Sequence, residues 1–215
     1  MKNKSFIKIL VFGTGLCLLA MPVLGFKEED LEKLRRTNAC IRCDLSGADL
    51  RSANLSRANL RSSNLSGANL RGASLNDVNL SLANLSEAEL VGSNLRRSNL
   101  RGANLSASDL SAADLSSADF REVDLTGANL RGSDLRATDF WMANFKEANI
   151  RRADMREANL FGTDFNLADI RGANLSYTDL ESANLAGADM REARTLDARF
   201  CNTKMPNQEM NHSGC

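Results

Sequence analysis

From Leu45 to Met190 every fifth residue is Leu, Phe, Ile or Met, through 30 consecutive five-residue units with no insertion. This spacing excludes the two simplest regular shapes. On an α-helix five residues advance about 500°, which spirals the apolar residues round the whole surface. On a straight strand an odd spacing alternates them between opposite faces. The conflict vanishes if the chain turns a corner in every unit, so that each unit is one short side of a coil. The residue two before each centre is small, mostly Ala, as at Ala48, Ala53, Ala58 and Ala68. On an extended segment residues two apart share a face, so this small residue and the centre point inward together. The residue just before the centre is Asn or Asp in 28 of the 30 units, Ser74 and Glu89 being the exceptions. Asn and Asp hydrogen-bond nearby backbone and tolerate turn conformations, which assigns them to the corner.

The unusual centres set the number of sides. Phe120 and Phe140 are four units apart, as are Phe145 and Phe165, Ile150 and Ile170, and Ile170 and Met190. Large side chains stack on like side chains of the neighbouring chain segment. The position after the centre repeats the same way, at Arg131, Arg151, Arg171 and Arg191. Both patterns predict an all-β solenoid, a four-sided β-helix in which four five-residue units complete one coil. Thirty units make about seven and a half coils, and at roughly 4.8 Å per coil a rod about 36 Å long.

The stretch ADLRSANLSRANL, Ala48 to Leu60, resembles the pentapeptide repeat family, and the match runs over residues 43–192. The resemblance implies a right-handed, four-sided β-helix. The flanks TNACIRCDLSGADL (Thr37 to Leu50) and FCNTKMPNQEMNHSGC (Phe200 to Cys215) are similar to exported members, including lumenal ones. After Pro206 this chain has Asn207-Gln208, where the tail pattern of those members has Asp-Gly.

The ends divide the rest of the chain. Lys2, Lys4 and Lys8 precede an apolar run from Ile9 to Ala20, and Val23 and Gly25 supply small residues at −3 and −1 of a cleavage site. Residues 1–25 read as a secretory signal peptide, which puts the protein in the periplasm, a lumen or the extracellular space. The competing reading is an uncleaved anchor. However, the run from Ile9 to Phe26 reaches only the lower edge of the length a spanning helix needs, and Pro22 interrupts it. No stable membrane span remains after its removal. Residues 26–42 form an N-terminal cap in which Leu31 and Leu34 lie on one side of a short helix, and 193–215 form a C-terminal cap and tail. Caps are needed because a solenoid's open ends invite end-to-end association; side-by-side association is the other route.

Four cysteines lie beyond the signal: Cys40, Cys43, Cys201 and Cys215. An even number in an exported chain points to disulfides. Bridged cysteines need Cα atoms within about 7 Å. The two sets are separated by the rod, so the pairings expected are Cys40–Cys43 and Cys201–Cys215. The C-x-x-C of the first pair also admits a thiol–disulfide redox role. It lacks the following His of a haem attachment site and the two further ligands of a zinc site.

No residue set announces catalysis, and the chain reads as a non-enzyme without a cofactor or metal. His212, the single histidine, stands in the tail. Asp109, Asp114, Asp119 and Asp124 recur every five residues where other units have Asn, so a turn role explains them. Two surface features remain. Arg131, Arg151, Arg171 and Arg191 form a basic strip, either an anion-binding surface or, with Asp169, Asp189 and Glu192, a mixed solubilising face. Arg121, Trp141 and Phe161 form another file, expected to be exposed, with Met142 beside it. It is the candidate patch for a protein partner.

The leading function is therefore a non-enzymatic scaffold or protein-interaction module in an exported compartment. The resemblance also implies a DNA-mimic, topoisomerase-binding alternative. That role demands a strongly acidic surface, whereas residues 44–191 carry 20 acids and 16 bases. The balance predicts no nucleic-acid partner either.

Overall fold

The computed structural model describes residues 25–215. The segment read as a signal peptide lies outside the described residues, apart from Gly25.

One unit explains the rest. In Ala68-Asn69-Leu70-Arg71-Gly72 the Leu70 N–H donates to Glu89 O one coil ahead (2.8 Å), and the Gly72 N–H to Val91 O (2.9 Å). The Asn69 N–H donates one coil back, to Ala48 O (2.9 Å). The Ala68 N–H closes the preceding corner on Leu65 O (3.0 Å). The Arg71 N–H would be left over, and Asn69 Oδ1 accepts it at 3.2 Å. All five donors of the unit are thereby satisfied, as backbone packed away from water requires.

Parallel bridges join each unit to the fourth unit after it, without interruption from Ala39↔Asn59 to Asn184↔Lys204. Four five-residue sides per coil follow directly. The ladder runs past both ends of the 43–192 apolar file, because its bonds are backbone bonds and need no Leu at the centre. Each side contributes one bridging residue, too few for a strand. Among the described residues the only strands are β1, Thr203–Lys204, and β2, Met210–Asn211, which pair antiparallel. The tail therefore ends in a hairpin.

The corner differs from the sequence expectation. Asn and Asp occupy the bridging position, while the chain turns at the two residues after the centre. The second of these has positive φ throughout, for example Ser52 (53°), Arg57 (59°), Gly67 (61°) and Gly72 (63°). With the bond from the small residue back to the preceding centre, this is a type II turn, whose third residue favours Gly. Asn and Asp brace that turn from outside by accepting the N–H of its first free residue. Every Asn or Asp unit makes this bond. The units of Ser74 and Glu89 do not, and leave the N–H groups of Asn76 and Val91 without it.

Inside, the centres are buried from Leu45 to Leu185, and the small residues beside them are buried too. The Phe centres meet as their spacing requires. Phe120 and Phe140 pack edge-to-face at 5.4 Å and Phe145 stacks on Phe165 at 4.7 Å. Phe140 and Phe145, on adjoining sides, meet at 4.9 Å.

The N-terminal end is covered by α1, Glu28–Thr37. Its first turn carries Glu28, Glu29 and Asp30 and its last Arg35 and Arg36, each opposing the local end of the helix dipole. Asn38, in the left-handed conformation, ends it by donating its N–H to Leu34 O. Leu31 and Leu34 are buried against the first coil. Asp30 accepts the Asp44 N–H (2.9 Å), a donor that has no preceding coil to meet. At the other end the tail returns, and the Phe200 N–H donates to Ser213 O (3.0 Å).

This packing can be tested at a centre and at an unbraced corner. Leu130→Ala should cost about 2–5 kcal/mol, because a full side chain leaves a close-packed interior. Glu89→Asp should raise stability by up to about 1 kcal/mol, since the shorter carboxylate can accept the Val91 N–H and the exposed Arg71–Glu89 pair given up is weak. Denaturant unfolding measures both; a destabilised Glu89→Asp would mean that the bracing bond is unimportant.

Candidate functional site

Three side chains of each unit face outward; the one before the centre is tied to the turn in nearly every unit, which leaves the two after the centre free, each stacked on its like one coil away. Surface chemistry is thus arranged in files along the rod.

One file runs Arg101, Arg121, Trp141, Phe161, Glu181. Arg121 forks onto Asp119 through Nε (2.8 Å) and Nη2 (2.5 Å) and also faces Asp139 (3.6 Å). Arg101 pairs with Glu122 at 2.7 Å. A shallow hollow lies among Arg101, Arg121, Asp139, Trp141 and Asn159. Trp141 is 36% exposed and Met142 49%. Arg121 and Phe161 are half-buried, so the file is openly apolar only at Trp141, with exposed Met142 beside it. Side chains one coil apart cover one another, which the spacing alone does not reveal.

Met142 leans along the rod over Gly162: a Cβ there would lie 2.6 Å from Met142 Sδ. Leu82 over Gly102 and Leu167 over Gly187 repeat the arrangement. Leu82, Leu167, Tyr177, Leu196 and Met210 are further exposed apolar residues that the sequence pattern did not assign to a patch. The signal for Leu82 and Leu167 was present: a bulky residue at the second turn position, with Gly at the same position four units later.

In the arginine file Asp169 holds Arg171 by Nε (2.8 Å) and Nη2 (2.5 Å), and Asp189 holds Arg191 in the same way (2.9 and 2.6 Å). Arg151 has Asn149 in its own unit and reaches Asp169 only at 4.0 Å. Arg131, also behind an Asn, makes no ion pair among the described residues. Acids therefore interleave at one end of the strip only.

Cys40 and Cys43 are disulfide-bonded with Cα atoms 5.4 Å apart, and Cys201 and Cys215 with Cα atoms 4.8 Å apart. The first bridge lies beneath α1, with Cys43 only 3% exposed. Asp30, Cys40 and Cys43 converge within 4.8 Å. However, the sulfurs are bonded to each other and the Asp30 carboxylate accepts the Asp44 N–H, so the bridged form offers no thiolate to a metal. His212 Nδ1 meets Asn202 Oδ1 at 3.0 Å on the exposed tail. Asp109, Asp114, Asp119 and Asp124 each accept the backbone N–H two residues on, as structural turn residues do.

The same Arg–Asp forks fix the carboxylate ionisation. Hydrogen bonding from Arg97 holds Asp77 at about 2, and from Arg191 holds Asp189 at about 2. Asp49, Asp119, Asp134, Asp154 and Asp169 are lowered by the arginine two residues after each. A carboxylate with a lowered folded pKa binds fewer protons folded than unfolded. Its contribution is complete above the ordinary carboxylate range near 4 and is lost as pH falls towards 2. The melting temperature should accordingly hold level from neutral pH to about 5 and fall between about 4 and 2. A scan that declines between pH 8 and 6 would contradict this origin.

Compared with protein families, the chain matches the model for pentapeptide repeats over residues 40–77, 63–102, 103–141, 128–166, 143–176 and 168–207. Among solved structures it is 34% identical to HetL, a pentapeptide repeat protein involved in heterocyst differentiation regulation in the cyanobacterium Nostoc sp. strain PCC 7120. That match covers 80% of this chain and 87% of HetL, with a TM-score of 0.45. It is 34% identical to a pentapeptide repeat protein of the Arabidopsis thaliana thylakoid lumen, over 54% of this chain and 65% of that one, with a TM-score of 0.28. It is 16% identical to QnrB1, a plasmid-mediated fluoroquinolone resistance protein, over 80% and 93%, with a TM-score of 0.39. No curated protein matches.

Proposed function

Since the chain belongs to the pentapeptide repeat family, we propose that it is a non-enzymatic interaction module, exported from the cytoplasm, that offers files of side chains on a rigid rod to a protein partner. The family fold is a right-handed β-helix solenoid. On this reading about seven and a half coils stand between a helical cap and a disulfide-tied tail. Two bridged cysteine pairs support an oxidising compartment, where such bonds persist. Among the described residues no helix is long and apolar enough to cross a membrane.

The observation that carries the partner surface is the exposed Trp141–Met142 pair beside the arginine-rimmed hollow. Trp, Met and Arg are the residue types enriched where proteins meet, and a buried indole often dominates such contacts. The redox alternative is less favoured, because the Cys40–Cys43 bridge lies under α1, away from a protein reductant. The DNA-mimic alternative has no strongly acidic face among the described residues to support it, since arginines alternate with the carboxylates along the rod.

Trp141 is the chain's one tryptophan and so reports on its own surroundings. Trp141→Ala should leave the melting temperature within a few degrees of the parent and weaken capture of a partner from the exported fraction. In the parent, partner binding should shift the indole emission to the blue. A large drop in melting temperature would instead make Trp141 a packing residue, and unaltered capture would move the contact to another file.

A further inference from the structure

We propose that the hollow lined by Arg151, Arg152, Arg171, Gly172, Arg191 and Glu192 is a binding site for a multiply charged oxyanion, of the phosphate or pyrophosphate class. The site stands on a different file from Trp141 and does not depend on that patch.

The chain contains its own comparison. Arg-Arg occupies the two turn positions of a unit twice, at Arg96-Arg97 and at Arg151-Arg152. In the first pair Arg97 is neutralised and Arg96 approaches a second acid. Arg97 donates from Nε and Nη2 to Asp77 at 2.9 Å each, and Arg96 meets Asp114 at 3.6 Å. In the second pair the equivalent of Asp77 is Gly132, four units before Arg152. Arg152 makes no ion pair among the described residues, and Arg151 only the 4.0 Å approach to Asp169. The first arginines of the two pairs make equivalent approaches to an acid, so the difference lies in the second: Arg152, unlike Arg97, is left with its charge available.

The neighbours complete a receptor. Arg171 and Arg191 are neutralised through Nε and Nη2 by Asp169 and Asp189, as Arg97 is by Asp77, and Arg171 also faces Asp189 at 3.4 Å; what they add is not free charge but an oriented Nη1 each, without a partner among the described residues. Fixed forks of this kind lose little freedom when an oxyanion arrives. Stacked coils space the backbones of successive arginines by roughly 5 Å, which puts their side chains within the span of one phosphate or diphosphate held by more than one guanidinium. Gly172 leaves the corner between them without a side chain. A single compact group fits better than a long polyanion, because Val91 and Ser111 interrupt the file between Arg71 and Arg131 and Glu192 bounds the hollow.

Calorimetric titration of the whole chain at low ionic strength, with pyrophosphate as the probe, tests the site. Saturable binding is expected, weakened by about tenfold or more in Arg151→Gln with Arg152→Gln. The matched double variant Arg96→Gln with Arg97→Gln removes the same charge and should bind as the parent does. Inorganic phosphate and sulfate should compete, and acetate at equal ionic strength should not. Equal loss in both double variants, competition by acetate, or no saturation at millimolar pyrophosphate would overturn the proposal. Should the Arg151/Arg152 variant melt early, NMR of the parent decides. Arginine side-chain shifts confined to Arg151, Arg152, Arg171 and Arg191 on titration uphold the site, and their absence overturns it.

Discussion

The regular coils of this rod are braced by one side-chain hydrogen bond, repeated in every unit that has Asn or Asp before its centre. A coil built from five-residue sides uses four backbone donors per unit, three between coils and one across a corner. The fifth, on the residue after the centre, has no backbone acceptor within reach. Oδ1 of the Asn or Asp two residues earlier supplies one, as Asp49 does for Arg51 and Asn94 for Arg96. A turn braced in this way keeps its geometry whatever its outward side chains are. The contribution of each bond is modest, about 0.5–1.5 kcal/mol, but it recurs in nearly every unit.

Freedom at the surface follows from constraint at the core. The centre must be large and apolar, the residue two before it small, and the residue just before it Asn or Asp. The remaining two positions are open, and the rod uses them differently on different sides. One file carries Ser46, Ser66, Ser86 and Ser106, another arginines, a third arginines and then Trp141 and Phe161. Function in such a molecule lies in what neighbouring coils place side by side. That is why the arginine pairs at 96–97 and 151–152, alike in sequence, differ in how far their charge is neutralised: the distinguishing residue, Asp77 or Gly132, sits one coil away.

Stability at the two ends is obtained by other means. A ladder that repeats must stop somewhere, with donors and apolar centres facing nothing. At the start Asp30 takes the place of a preceding coil for Asp44, while Leu31 and Leu34 cover the core. At the end the tail folds back as a hairpin joined through Cys201 and Cys215. Neither device repeats, and neither follows from the five-residue rule.

The coil itself was legible in the order of the residues. Period five with inward Ala and Leu admits one cornered path. The four-unit spacing of Phe120 with Phe140 and of Phe145 with Phe165 then sets four sides, because like side chains stack. Position in the unit also marked the outward files, since it settles which residues face solvent. The place of the corner was not legible. Asn and Asp favour turns in general, and whether they occupy the turn or brace it depends on which N–H groups the neighbouring coils leave over. Folding likewise settled how far each outward side chain is covered, as half-buried Phe161 beside exposed Trp141 shows, and which arginines are neutralised. Those outcomes arise from contacts between residues about one coil apart, where the distance from a guanidinium to a carboxylate is fixed by the stacking of coils and not by any local pattern.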